Sequence, residues 1–561
     1  MIMNNKIAYI IIPILFLIGS CDIEREPYTA FSDDQVFRDI EGLEAATLGA
    51  YDLIKLNSFS RNFHRAAEFG SDDVSLSGTT TSPLFFSYNY RHLQNDGQSN
   101  ALWETCYRTI VTCNKIIENA VRGQNDRMDH IVGENYFIRA FLYFSLVNIW
   151  GRPYNQDPHN NLGMPLKLSG DIHDLPPRST VAETYEQIEK DLLESIELMS
   201  NYIRPSQEYN QFGSVDAANA LLARLYLYME ENEKALEYAD KVINSGNFEL
   251  LQGENFARYP TFRPDDNKET IFAVRQMRDI DHQGWGAVSS IYAHIDGIGW
   301  GEMYISKPFR DLIDRYPEDL RHNFISPQYT FSLGEDPEYW IIYIRTTDPV
   351  MEKKMFRTYN VELNQNTGIW EYVKDNEVLE VQTEASGDET LYYIFEDGVK
   401  TYVDLEYRMQ TRNGYPRWYN IKNLGQEGQA HLWSAVYIRL AEMYLIKAEA
   451  YSKLGNDGLA IEYVNVIRER AQIPLYDLDI PIPPEMTSLD IVLEERRLEL
   501  AFEIHRRFDV FRNGGTIDRR YPGTHDVGED AIMQIPADHP RVVFFIPERQ
   551  RLAQPNLVNN P

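Results

Sequence analysis

The 561-residue sequence predicts a mainly α-helical fold: a tetratricopeptide-type array of helix pairs carrying a loop-rich, partly β lobe. Three observations predict it. Between Leu432 and Ala471, the residues Tyr437, Ala441, Tyr444, Ala448 and Tyr451 recur at steps of four and three, which aligns small and aromatic side chains on one helix face. Gly455-Asn456-Asp457-Gly458 then supplies a reversal, and a second stripe follows at Ala460, Val464, Ile467 and Ala471. Read without gaps, an upstream segment matches this pair: Ala223, Tyr226, Ala235, Glu237, Tyr238 and Val242 align with Ala448, Tyr451, Ala460, Glu462, Tyr463 and Ile467. A helical hairpin that recurs fits a repeat unit of roughly 34 residues, and such units need neighbours to bury their apolar faces. Third, residues 250–430 lose helical periodicity yet hold five of the eight tryptophans.

In chain order, residues 1–20 read as a targeting segment. Lys6 precedes the apolar run Ile7 to Leu17, which falls short of the roughly 20 residues that span a bilayer. Leu17-Ile18-Gly19-Ser20-Cys21 resembles a bacterial lipobox, with Cys21 as the acylated (palmitate-bearing) mature N-terminus. No later stretch reaches 18 apolar residues, so anchoring by lipid is expected in place of a membrane span. Residues 21–40 are polar and acidic, a tether. Helical periodicity starts near Glu41 (Leu43, Ala46, Ala50, Leu53), lapses over 57–98, and returns at 99–122 and 129–150, the latter ending at Gly151 before Pro153. Further helices are expected near 180–200, 215–230 and 232–245. Within 251–430, Trp340–Arg345 and Leu391–Phe395 read as strands. The array resumes at 431, a helix is expected over 488–512, and Val542 to Ile546 reads as a strand. The expected regions are therefore 41–250, 251–430 and 431–561.

Composition excludes several classes. Eighty-five acidic residues against 54 basic ones give a net charge of −31, which argues against nucleic acid, since that binding rests on Lys and Arg neutralising phosphates. Cys106 and Cys113 stand seven apart on an expected helix, a rise of roughly 10 Å, beyond the reach of a disulfide. They read as buried small hydrophobes. Histidines lack metal-ligand spacing, and there is no Gly-x-Ser-x-Gly elbow, His-Glu-x-x-His or phosphate-binding Gly-x4-Gly-Lys. No catalytic residue, metal or cofactor is expected. In the block Glu495–Glu503, charges are expected to pin a helix against the array, with Glu503 and Arg507 spaced for an ion pair.

An ordered set of segments carries a resemblance. It comprises the lipobox with Asp22, Gly133-Glu134-Asn135-Tyr136-Phe137-Ile138-Arg139-Ala140 running to Trp150-Gly151, and Ala441-Glu442-Met443-Tyr444-Leu445-Ile446-Lys447-Ala448-Glu449-Ala450. Glu495-Arg496-Arg497-Leu498-Glu499-Leu500-Ala501-Phe502-Glu503 with Arg507-Phe508-Asp509 follows, then the tail from Ile546-Pro547 to Asn556-Leu557. The sequence resembles the SusD/RagB family of lipid-anchored nutrient-binding proteins. The resemblance implies four tetratricopeptide units, no catalysis, a location on the outer membrane facing the exterior, and a partner, a SusC-like TonB-dependent barrel. It leaves the ligand open: a glycan oligomer, or peptides as for RagB. A tetratricopeptide scaffold that binds only proteins is the remaining alternative.

Sugar binding needs aromatic rings for apolar C–H faces and polar side chains for hydroxyls. The loop from Asp281 through Trp285, Tyr292 and Gly299-Trp300-Gly301 to Tyr304 fits, because glycines on both sides of each Trp leave the indole little local cover. Both indoles could equally be core anchors. The second candidate loop is 70–91, with Asp73, Tyr88, Tyr90 and Arg91; the family's site draws partly on this early loop, by resemblance. Phe86, Tyr88 and Tyr90 also suit one face of a half-buried strand.

Overall fold

The structure, a computed structural model, describes residues 36–37, 39–76, 84–205, 209–281, 284–332, 334–350, 352–387, 389–477, 486–523 and 532–561. Cys21 and the expected targeting and tether segments lie outside the described residues, apart from the last few of the tether. Helices α1 (Ile40–Lys55), α2 (Ser60–Glu68), α3 (Gly97–Asn119), α4 (Asp126–Trp150), α5 (Val181–Met199), α6 (Val215–Tyr228) and α7 (Asn232–Ile243) form the first part. Most starts are capped: Asp39, Asp96, Asn125, Thr180 and Ser214 each accept from a backbone N–H of the first turn. After the loop-rich region and a short helix α8 (Lys307–Ile313) come α9 (Leu440–Lys453), α10 (Asp457–Ala471), α11 (Ser488–Glu499) and α12 (Arg506–Arg512). Helix α2 falls within 57–98, where periodicity had lapsed: eight of its nine residues are buried, so no polar face marks it.

Four helix pairs, α1 with α3, α4 with α5, α6 with α7, and α9 with α10, stack through α3–α4, α5–α6 and α7–α9 contacts, and α11 closes the end. The two hairpins that match in sequence are thus direct neighbours. Ala223, Ala235, Ala448 and Ala460 are all fully buried, and the equivalent ring pairs Tyr226–Tyr238 and Tyr451–Tyr463 sit at 5.3 and 5.6 Å. Small residues let the backbones close up, and Lys447 on α9 meets Asp240 on α7 across the seam. Tyr437 corrects the stripe: it lies on a strand before α9, with its ring packed on Phe141 at 5.0 Å.

The C-terminal readings also change. The span expected as one helix, 488–512, is two, because Phe502 and Ile504 take positive φ (64° and 72°) between α11 and α12. The turn separates Glu503 from Arg507: Glu503 pairs with Arg439 and Lys422 at 2.6 Å each, while Arg507 donates to the Val542 carbonyl. Residues 542–546 are not a strand; Phe544 and Ile546 insert singly into the helical core, and Phe544 N–H bonds the Ile149 carbonyl. Cys106 and Cys113 are buried free thiols.

Besides several other strands of two to four residues, the strands are β1 (Val74–Leu76), β2 (Thr270–Val274), β3 (Met303–Ile305), β4 (Tyr339–Asp348), β5 (Lys353–Leu363), β6 (Trp370–Lys374), β7 (Glu377–Glu380), β8 (Gln382–Ser386), β9 (Glu389–Glu396), β10 (Val399–Tyr407) and β11 (Ala435–Arg439). β1 pairs antiparallel with β3, and β2 with β11. β4 to β10 make a seven-stranded antiparallel sheet in the order β7-β6-β5-β4-β10-β9-β8. Its two edge strands are consecutive in the chain and joined by Val381 alone, so the sheet must curl until its edges meet. The concave face closes over Ile341, Tyr343, Val361, Tyr372, Ile394 and Val403.

Helix α2 is tied to the turn after α11 by Glu68, whose carboxylate accepts the Ile504 N–H at 2.9 Å. Burial, reinforced by Asp73, raises the Glu68 pKa from 4.5 to about 8. The folded pKa exceeds the unfolded one, so this contribution to stability is full below pH 4.5 and is lost as pH rises toward 8. Glu68→Gln should therefore flatten the fall in urea midpoint between pH 5 and 8 and exceed wild type at the upper end. A parallel decline in both proteins would remove Glu68 as its source.

Candidate functional site

Trp285 and Trp300 are 45% and 55% exposed, and they meet edge to face with ring centroids 4.9 Å apart at 68°. Indoles carry a large apolar area that folding normally buries, so a half-exposed touching pair needs a cause. The cause is backbone geometry. The Trp300 indole N–H donates to the Trp285 carbonyl at 3.1 Å, and the Ser290 hydroxyl donates to the same carbonyl at 2.8 Å. The Trp300 N–H donates to the Ser290 carbonyl at 2.6 Å. A tight turn at Ile295–Ile298, with Asp296 and Gly297 at positive φ, returns the chain so that the two glycine-flanked tryptophans converge.

Other segments clamp this loop. The Arg61 guanidinium on α2 donates to the Gly286 carbonyl at 3.2 Å. His431 Nε2 lies 2.9 Å from the Ile298 carbonyl, and within the loop itself His294 Nδ1 lies 2.6 Å from that of Gly299. Arg412 donates to the carbonyls of Trp300 (3.0 Å) and Gly301 (3.2 Å) and pairs with Glu302 at 3.2 Å. These clamps were not anticipated. Arg412-Asn413-Gly414 carries a hairpin signal, and both Asn413 and Gly414 have positive φ, but nothing local names the loop that Arg412 reaches.

The remaining expected site residues lie behind this surface or apart from it. Tyr292 is fully buried, its hydroxyl 2.7 Å from His64 Nε2. Tyr304, on β3, is fully buried between Tyr415 and Tyr419, each at 6.0 Å. Asp73 is fully buried, its carboxylate accepting from Arg497 at 2.6 Å. Tyr88 and Tyr90 are also fully buried; the Arg519 guanidinium lies 3.8 Å over the Tyr88 ring, and the Tyr90 hydroxyl donates to the Gly70 carbonyl at 2.7 Å. Nor do they share a strand: Leu84–Tyr88 is a short helix and Tyr90 has a φ of 56°. In this structure Asp73, Tyr88, Tyr90, Tyr292 and Tyr304 are all buried and expose no surface to solvent. Arg91 is half-buried and its N–H bonds the Phe86 carbonyl. His282 and Gln283 lie outside the described residues.

Among the described residues no cluster of His, Cys, Asp or Glu has the arrangement of a metal site, and no helix is long and apolar enough to cross a membrane. The site thus defines a class: a helical-repeat scaffold presenting a fixed aromatic surface from loops. A family model described as "Starch-binding associating with outer membrane" matches residues 31–227, and one described as "SusD family" matches residues 401–561. The chain belongs to the SusD/RagB family. It is 25% identical over 519 residues to SusD-like protein P2 of Formosa agariphila, covering 90% of each chain. Its fold matches the crystal structure of a SusD superfamily protein from Bacteroides thetaiotaomicron with a TM-score of 0.70 at 24% identity, over 93% of this chain and 99% of that one. A SusD-like carbohydrate binding protein from Bacteroides vulgatus matches with a TM-score of 0.63 at 19% identity, over 92% and 97% of the two chains.

Proposed function

We propose that this protein captures a glycan oligomer on the Trp285–Trp300 pair and passes it, unaltered, to a SusC-like TonB-dependent outer-membrane barrel. It does no chemistry, and a lipid on Cys21 holds it on the outer membrane, facing outward. The observation that carries the glycan reading is the rigid, half-exposed indole pair. Two rings at a steep angle follow the bend of an oligosaccharide better than the flat face of a single ring, and their C–H contacts need no charge. The carbohydrate-binding relative and the starch-binding family description support the same ligand class.

The test is a panel of polysaccharides and peptides in affinity gels and calorimetry. Trp285→Ala and Trp300→Ala should each weaken the binding of the retained polysaccharide by about tenfold, the scale of one aromatic anchor. Peptide binding with no sugar binding would overturn the proposal in favour of a RagB-like role. Co-purification with a barrel protein from outer membranes, lost on Cys21→Ala, tests the anchoring and delivery.

A further inference from the structure

A second ring-lined cleft, of about 470 Å³, opens between the curled sheet and the segment that carries α8. It shares no lining residue with the indole pair. One wall is aromatic: Tyr407 at the end of β10 packs on Tyr329 at 5.6 Å and on Tyr339 at 5.1 Å, and Tyr407 and Tyr329 are 46% and 38% exposed. Charged side chains line the cleft as well. Arg310 on α8 pairs with Asp314 at 2.9 Å while lying 4.3 Å over the Trp418 ring. Glu406 also lines the cleft.

The walls are fixed. Tyr329 bridges Met409, the Thr330 N–H bonds the Arg408 carbonyl, and the Arg408 N–H bonds that of Glu338. The segment 328–330 is thus sewn between the end of β10 and Arg417, whose carbonyl accepts the Gln328 N–H. Exposed rings cannot retreat from water by local collapse here.

We propose that this cleft is a second carbohydrate subsite that takes a neutral sugar ring. Its volume lies in the range of small-molecule sites, and such sites favour junctions between structural units. A wholly apolar ligand would strip water from Arg310, Asp314 and Glu406 without replacing its hydrogen bonds. An acidic sugar would meet Asp314 and Glu406. A neutral pyranose offers a C–H face to Tyr329 and Tyr407, and hydroxyls that both accept from Arg310 and donate to the carboxylates. Burial raises the Glu406 pKa, although Arg310 opposes this, which makes an added hydroxyl donor there favourable.

This subsite rests on the glycan reading above, and the two are separable. The probes are maltohexaose, cellohexaose, xylohexaose, laminarihexaose and mannohexaose, with binding followed by saturation-transfer NMR and calorimetry. In a Trp285→Ala/Trp300→Ala background, residual binding of the sugar that wild type prefers is expected. Adding Tyr329→Ala/Tyr407→Ala should weaken that residual binding by about tenfold or more, and adding Glu406→Gln instead by a few-fold. Circular dichroism should show each variant folded. A Trp-deficient protein with no residual binding, or residual binding that ignores the tyrosines, overturns the subsite and leaves the indole site standing. Failure of wild type to bind any of the five sugars, or any polysaccharide of the panel, overturns both.

Discussion

Arg439→Met is expected to cost about 3–5 kcal/mol of folding stability, because it strands buried carboxylates without their shared countercharge. Arg439 closes β11 and meets three acids at once: Glu269 at 2.7 Å, and Glu499 and Glu503 at 2.6 Å each. Its guanidinium also donates to the Glu499 carbonyl at 2.6 Å. All four side chains are buried. Arg470 and Lys422 remain after the substitution, on Glu499 at 2.5 Å and Glu503 at 2.6 Å, so the site loses balance and not every partner. Lysine would not restore it, since one ammonium cannot reproduce a planar fork reaching three carboxylates. The network has a pH signature. Burial alone would raise the Glu499 carboxyl, but Arg470, Arg439 and Arg321 outweigh it and hold the group well below the usual carboxylate range. A depressed folded pKa gives stability that is present above the unfolded value near 4.5 and lost as pH falls. The variant should show a lower urea midpoint at pH 7 and a smaller further loss between pH 5 and 2 than wild type. An unchanged midpoint at pH 7 would mean that the network contributes no net stability.

That network also marks where sequence reading stops. The helix pairs were legible because their signal is local: Ala448 and Ala460 lie within one hairpin, and periodicity alone places both on a buried face. Arg439 and Glu269 are 170 residues apart, and Arg470 and Glu269 201 apart, so no spacing rule could join them. Buried arginines look like surface charge in a sequence until a partner is known. Tyr88 and Tyr90 misled for a related reason. A tyrosine run beside polar residues suits an exposed loop, but Arg519 and the Gly70 carbonyl, both distant in sequence, satisfy these side chains inside the protein. Conversely, the seven-stranded sheet leaves valines at 373, 378 and 399 exposed, which blurs the alternation that would have announced most of its strands.

The indole pair was legible because the glycines flanking it say two things: little local cover, and a backbone that must turn. What the sequence could not say is that the turn is held from outside the loop, by Arg61, His431 and Arg412. A ligand surface fixed in this way loses little freedom on binding, so more of the contact energy is realised as affinity. The buried tyrosines at 292 and 304 belong to the same design, since they fill the layer beneath the loop that carries the tryptophans.

Gly299→Ala is accordingly expected to abolish most glycan affinity, about as much as Trp300→Ala, with little change in overall thermal stability. Gly299 has a φ of +100°, and a Cβ there would sit 2.1 Å from the Ala293 carbonyl oxygen and 2.9 Å from His431 Cε1. The carbonyl belongs to the backbone and cannot rotate away. Strain at such a φ costs about 1–3 kcal/mol, and overpacking adds a similar amount. The cheapest escape is local: the loop lets go of His431 and carries Trp300 with it, because surface loops open at far lower free energy than the whole fold. Tryptophan emission should shift as the Trp285–Trp300 contact breaks. Gly297→Ala is the matched control, since its φ is +77° but a Cβ there meets open space. It carries the backbone strain without the collision, and should keep binding within a few-fold of wild type. If both alanines bind glycan equally well, affinity does not depend on the angle between the two indoles, and the geometric account of the site is wrong. If both fail equally, the turn at 295–298, not the contact with Ala293 and His431, is what sets the pair.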